Sequence, residues 1–537
     1  MQNRLLNFCF YCVLALTFIN CANRGNITGG EKDVTPPKIR YSEPANFSTN
    51  FNSKEIKIYF DEYIKTKDLT KQLVISPPMN TKPDITPLGS PSEYIKIKIL
   101  DTLAPNTTYA INFGNSIVDN NEENPYPYYR YVFSTGDYID SLSVKGSVMD
   151  AIKRTTDPFI SIHLYEADST YTDSIVYKEN PKYITNTLDS TTNFKLENLK
   201  AGAYKLIALK DNNSNNKFDQ KSDEIGFYEE FITVSADTSA FYELKIFKEE
   251  IDYKAESARL VSGEKIAFGF EGEDYKDMTI DLLSDAPKDY SYSYFKDEKT
   301  DTLNYFYKPK LEVDSLVFKV TNRTKIDTFT VRIKDNKRDS LLVKASPSSN
   351  IDFFETLKLS ANIPISKFDK SKITILDKDS TKVSFTTKLD TLQNTIEVDF
   401  DKTEDNLYKI QLLPSTITDF YNLPNDTLNF NLRTVKESGL GNARVILKNA
   451  TYPLIVQFLN KTGEVKYEQY ATTPKPLDFF FLKPGEYYVR VIYDTNKNRK
   501  YDSGNFLKKQ QAERVSYAKK VEEIRSGWEV IIDFTLN

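Results

Sequence analysis

Two stretches of the chain carry side chains that could hold a cation. Asp211, Asn213, Asn215 and Asp219 stand at alternate positions after an apolar run, and Asp494, Asn496, Asn498 and Asp502 repeat the pattern near the C-terminus. Oxygen-bearing side chains alternating along a tight loop converge on a hard cation such as calcium, with a backbone carbonyl completing the shell. Lys217 and Lys500 occupy that carbonyl position. The calcium-loop pattern also wants a glycine sixth and a bidentate glutamate twelfth. Here the sixth residue is Asn216 or Arg499 and the twelfth is Ser222 or Asn505. Asn enters the left-handed backbone region readily, whereas Arg499 does so only at a cost. Asp223 or Glu224 can supply the missing acid to the first loop by a small register change, and the second loop has no such nearby acid. Calcium is therefore the one cofactor expected, at a dissociation constant of about 10⁻⁴–10⁻³ M for so few carboxylates. The competing reading needs no metal: Asn and Asp side chains bond their own backbone in Asx-turns, which would order the same loops.

Nothing else in the chain assembles into chemistry. Its single histidine, His163, lies in the alternating run Phe159 to Tyr165 on the same face as Ser161, which reads as a strand-surface position. With 76 acidic residues, adjacent acids such as Asp61-Glu62 are expected by chance and do not make a glycosidase pair. Phosphate-binding glycine loops, HExxH and GxSxG are all missing from the sequence. The cluster Pro125-Tyr126-Pro127-Tyr128-Tyr129 could stack on a sugar but reads more simply as aromatic packing on an edge strand. Lys and Arg number 71, the net charge is −5, and no basic block occurs, which excludes a phosphate-tracking groove and nucleic acid as a partner.

The elements that must position these residues read as β throughout. The 537 residues exceed one core and imply about three to five domains. Tyr (35) and Phe (34) are abundant among short runs of Thr, Ile and Val, the side chains that a pleated, half-buried surface selects. All three cysteines, Cys9, Cys12 and Cys21, fall in the first 21 residues, so the body has neither disulfide nor thiol chemistry. Arg4 precedes an apolar run from Leu5 to Ile19, which is short for a membrane span but fits a signal-peptide core. Cys21 follows directly, and then a polar stretch from Ala22 to Lys32. This start resembles a bacterial lipoprotein signal, although Phe18, Ile19 and Asn20 depart from its usual small-residue box. The resemblance implies export, lipidation of Cys21 and attachment to the outer membrane through that lipid.

Further resemblances follow along the chain. Ile58-Tyr59-Phe60-Asp61-Glu62-Tyr63-Ile64, Leu103-Ala104-Pro105-Asn106-Thr107-Thr108-Tyr109, Ile117-Val118-Asp119 and Phe133-Ser134-Thr135-Gly136 look like the S-layer-type (SbsA-like) bacterial Ig-like domain. That family implies a sandwich with a spacer role and no catalytic residues. Tyr408 to Leu412, Ile417-Thr418-Asp419 and Thr434 form a weaker second copy. Gly202-Ala203-Tyr204 and Gly485-Glu486-Tyr487 each open a strand that runs into a cation-type loop, and both resemble the transthyretin-like or carboxypeptidase-regulatory sandwich. The domains expected are a signal peptide (1–20), a lipidated linker (21–36), an Ig-like domain (37–137) and a transthyretin-like sandwich (138–249). A sandwich of unassigned family (250–340), an Ig-like domain (341–435) and a second transthyretin-like sandwich (436–537) follow. The fold class is all-β, with tandem sandwiches in an elongated arrangement, and contacts between neighbours should be small and polar. The function expected is a non-catalytic envelope lipoprotein serving as a structural or interaction scaffold, with protein partners at the outer membrane. An accessory subunit of an outer-membrane assembly or transport machine is the rival, and a carbohydrate-active hydrolase with appended sandwiches ranks behind both.

Overall fold

Alternation of apolar and polar residues marks strands such as Glu55–Thr66 and Phe241–Ile246, whereas Ser161–Glu166 and Leu454–Leu459 are buried along nearly their whole length. The computed structural model describes residues 33–187, 192–236 and 239–536. Strand accounts for 49% and helix for 4% of the structure, so the protein is all-β. The expected signal peptide and the three cysteines, among them Cys21, the position expected to carry a lipid, lie outside the described residues. The chain divides into two compact units, Met1–Ser141 and Leu142–Asn537.

The first unit is a two-sheet sandwich. Strands Ile39–Glu43, Glu55–Thr66, Ser92–Lys98 and Asp84–Thr86 lie side by side in that order, and Ile117–Asp119 pairs with the far end of the second. Val74–Ser76, Thr108–Asn112 and Arg130–Ser134 make the facing sheet. Every second residue of a strand points to one face, so Ile56, Ile58 and Phe60 meet Ile95, Ile97, Ile111 and Phe133 in one core. Tyr126 and Tyr129 pack partly buried against that core, which accounts for the proline–tyrosine cluster.

The second unit begins with a module whose topology its last module repeats. Leu142–Asp150 runs between antiparallel Asn193–Leu199 and parallel Phe241–Ile246. The facing sheet places Ser161–Glu166 between Tyr183–Asn186 and Gly202–Lys210, with Glu224–Phe227 and Ile232–Val234 along the outer side of the latter. In the last module Gly441–Lys448 lies between antiparallel Leu477–Leu482 and parallel Glu529–Thr535. Leu454–Leu459 lies between Val465–Ala471 and Gly485–Tyr493, with Val515–Tyr517 and Glu522–Ile524 beyond. The shared Gly-x-Tyr has a common purpose: the Tyr204 hydroxyl donates to the Lys200 carbonyl at 3.1 Å and that of Tyr487 to Lys483 at 2.8 Å. Each module has its own core.

Between them stand two further sandwiches with cores around Phe268, Tyr305 and Phe318 and around Leu359, Ile396 and Ile410. The later one repeats the bonding of the N-terminal unit. The hydroxyls of Tyr109 and Tyr408 accept from the backbone N–H five residues earlier, at Ala104 and Thr403. Thr135 and Thr434 each accept from a loop N–H, at Thr107 and Asn406, and donate back to the carbonyls of Ala104 and Thr403. Asp119 and Asp419 each collect the backbone N–H groups of the turn that follows.

Candidate functional site

The two aspartate–asparagine loops leave equivalent strands, Gly202–Lys210 and Gly485–Tyr493, at equivalent ends. In the first, Asp211 Oδ2 accepts the Asn216 N–H at 2.6 Å and Asn215 Oδ1 that of Lys217 at 2.8 Å. Asp219 Oδ1 accepts from the Lys221 N–H at 2.9 Å, and the Asn213 amide points at Asp219 Oδ2. Asp223 is fully buried and ties the loop shut, accepting the N–H groups of Asn212 (3.0 Å) and Asp219 (2.8 Å). Glu224 turns away to Lys153 and Lys210, so Asp223 is the acid of this loop.

The second loop is built to the same plan. Asp494, also fully buried, accepts from Asn498 and Arg499 N–H at 3.0 Å each. Asn498 Oδ1 accepts the Lys500 N–H at 2.9 Å, and the amides of Asn496 and Asn498 both donate to Asp502 Oδ2. The tying acid of this loop is Glu513. Its Oε1 accepts from Thr495 N–H at 2.8 Å and its Oε2 from Asp502 N–H at 3.2 Å, which are the two bonds that Asp223 makes in the first loop. The expectation of no nearby acid is thus corrected: Glu513 stands eleven residues beyond Asp502, where Asp223 stands four beyond Asp219. Seven extra residues loop out between. Arg499 does adopt the left-handed backbone, at φ 65°, as Asn216 does at 58°. Its guanidinium lies 4.8 Å over the Tyr470 ring, a contact that offsets part of the strain.

These bonds set the electrostatics. Burial resists ionisation of Asp494, yet the Tyr470 hydroxyl and the N–H groups of Arg499, Asn498 and Lys497 outweigh it and hold the carboxyl below its usual range. Most loop oxygens already accept backbone hydrogens, as the Asx-turn reading requires. Asp211 Oδ1 differs, being buried with no hydrogen-bond partner. Among the described residues no three His, Cys, Asp or Glu side chains converge, so a cation here would meet at most two such side chains, with asparagine and backbone oxygens completing its shell.

His163 corrects the sequence reading. It shares a strand face with Ser161 and Tyr165, but that face is covered, and His163 is only 1% exposed. Its Nε2 lies 2.9 Å from Ser161 Oγ and its Nδ1 3.4 Å from the Tyr165 hydroxyl. Burial pushes its pKa down to about 3, so the ring is neutral.

The extra residues of the second loop also join the repeat modules, although their positions are some 250 residues apart in the chain. Phe506 enters a cluster formed by Tyr165, Ile207, Phe218, Phe227 and Phe247 of the first repeat. The joint lies between modules that are not neighbours in the chain, and its centre is apolar. Nothing in the sequence outside that loop announced it.

Residues 33–135 match the bacterial Ig-like domain family. No curated protein is matched by the chain. Among solved structures, domains 1–6 of the surface layer protein SbsC are similar over 90% of this chain and 67% of theirs, at 11% identity and a TM-score of 0.16. The Bacillus anthracis TIE protein is similar over 95% of this chain and 76% of its own, at 11% identity and a TM-score of 0.14. The N-terminal eight Ig domains of Down Syndrome Cell Adhesion Molecule give 91% and 69%, at 10% identity and a TM-score of 0.15. No helix of the described residues is long and apolar enough to cross a membrane.

Proposed function

We propose that this protein is a non-catalytic scaffold of the cell envelope, held at the outer membrane by a lipid on Cys21 and presenting sandwich modules to protein partners. The observation that carries the reading is the tandem of β-sandwiches, opened by a segment that matches the bacterial Ig-like domain, whose clustered polar loops are spent on their own backbone. The two repeat modules, with their Gly-x-Tyr strands, serve as transthyretin-like units of that scaffold. Affinity isolation of the full chain from membranes in mild detergent tests this. Envelope proteins retained in fixed proportion support it; no retained protein, together with glycan hydrolysis by the purified chain, would overturn it.

A second reading concerns the first loop alone. The unpartnered Asp211 Oδ1 gives that loop one acidic oxygen free for calcium, whereas both oxygens of Asp494 are taken.

A further inference from the structure

The outlooped residues of the second repeat fold into a tight hairpin, closed by two backbone bonds between Asn505 and Gln510 of 2.8 and 2.9 Å. They have no counterpart in the first repeat, where Asp219 and Asp223 are only four residues apart. Phe506, 1% exposed, stands edge-on to Phe227 at 5.3 Å. Its N–H donates to Glu249 Oε1 at 2.5 Å, and the other carboxylate oxygen accepts from the Gln220 amide at 2.8 Å. Gly504 is required beside it, because a Cβ there would stand 2.4 Å from the Phe247 ring. Around this centre the contacts are polar: Gln511 to the Phe227 carbonyl at 3.1 Å, Lys509 to Asp173 at 3.6 Å and Lys500 to Glu250 at 3.3 Å. A second contact joins the same modules. The Tyr517 hydroxyl donates to the Ile152 carbonyl at 2.6 Å, and the Arg154 guanidinium lies 4.5 Å over the Tyr488 ring.

We propose that the Ser503–Gln511 hairpin is a releasable clasp, which docks the last module on the first repeat and, when it lets go, frees the two modules while each stays folded. Three observations carry this. The central core of each repeat is complete without Phe506, which belongs only to the side cluster. A single ring supplies the last module's large apolar side chain in the joint, the remainder being ionic and hydrogen-bonded contacts of the kind that open between domains of one chain. The hairpin closes on itself through Asn505 and Gln510, so it keeps its shape when undocked.

Hydrogen exchange on the full chain, followed by peptide, tests the clasp. Phe506→Ala removes the buried ring, a loss that corresponds to at least about a hundredfold in an opening equilibrium. Exchange of the Phe506 amide, localised by overlapping fragments of the 503–512 peptide, should accelerate by that order while peptides from Gly202–Lys210 and Gly485–Tyr493 keep their protection. Glu249→Ala, which strands the Phe506 N–H, should act in the same direction, and Leu507→Ala, at an exposed position, should change nothing. Separation is read at the second contact, in a chain carrying Arg154→Cys and Tyr488→Cys. Mapped cross-linking of these positions by a short bis-maleimide should be fast and should fall at least tenfold when Phe506→Ala is added. Loss of protection in the core strands together with the hairpin, or a cross-linking rate indifferent to Phe506, overturns the proposal.

Discussion

Acidifying the medium from pH 7 to pH 5 should weaken the first repeat through His163 alone. The imidazole has an ordinary value of 6.5 and is pushed down to about 3 by burial. Between those values the unfolded chain carries a proton that the folded module refuses, so stability falls as pH falls. The gap of about 3.5 units corresponds to a ceiling of about 5 kcal/mol at about 1.36 kcal/mol per unit. From pH 7 to pH 5 the linkage integrates to about 2 kcal/mol, since half the unfolded rings are already charged at 6.5. Glu62, Glu249 and Glu522 are raised by burial and act with the opposite sign, so the effect must be read as the difference between the native chain and His163→Gln. Denaturant unfolding at the two pH values gives that difference. Because the sequence holds one histidine, its ring C–H resonance reports the group directly. A midpoint near 6.5 in the folded protein would refute the reasoning, as would equal pH slopes for the two chains.

Three further outcomes are expected. Glu513→Ala should cost about 1–3 kcal/mol in thermal unfolding, because the N–H groups of Thr495 and Asp502 lose their acceptor together; Glu513→Gln should recover part of it. Millimolar calcium should slow hydrogen exchange of the 211–223 peptide in the full chain by mass action, Asp211→Ala should abolish the effect, and the 494–513 peptide should respond less. Cys21→Ser should leave export intact and release the chain from salt-washed membranes, because acyl chains anchor through about 0.8 kcal/mol per buried CH₂.

What the sequence made legible was local. Alternation in Glu55–Thr66 places Ile56, Ile58 and Phe60 inward without knowledge of the partner sheet. The pairs Tyr109 and Tyr408, Asp119 and Asp419, and Thr135 and Thr434 are visible because each bonds backbone within a turn or at a sandwich corner. Asp223 is legible because it stands next to the loop's twelfth position, and it closes that loop from four residues away. Glu513 was hidden because an excursion separates it from the loop it ties, so spacing no longer encodes the contact. His163 shows the complementary limit: a period of two assigns a side chain to a face but says nothing about what covers that face. Its neighbour Tyr165 packs with Val176, Phe218 and Phe506, contributed from elsewhere in the chain.

The docked hairpin gives the second unit a mechanical character. The first strand of that unit, Leu142–Asp150, and the last, Glu529–Thr535, belong to the two modules that the Phe506 joint holds together. A pull applied between those ends is carried across the joint, in parallel with the two sandwiches of residues 250–435. While the joint holds, they are shielded from much of the load. When the clasp and the Ile152–Tyr517 contact both let go, the length they span becomes available before any sandwich has to unravel.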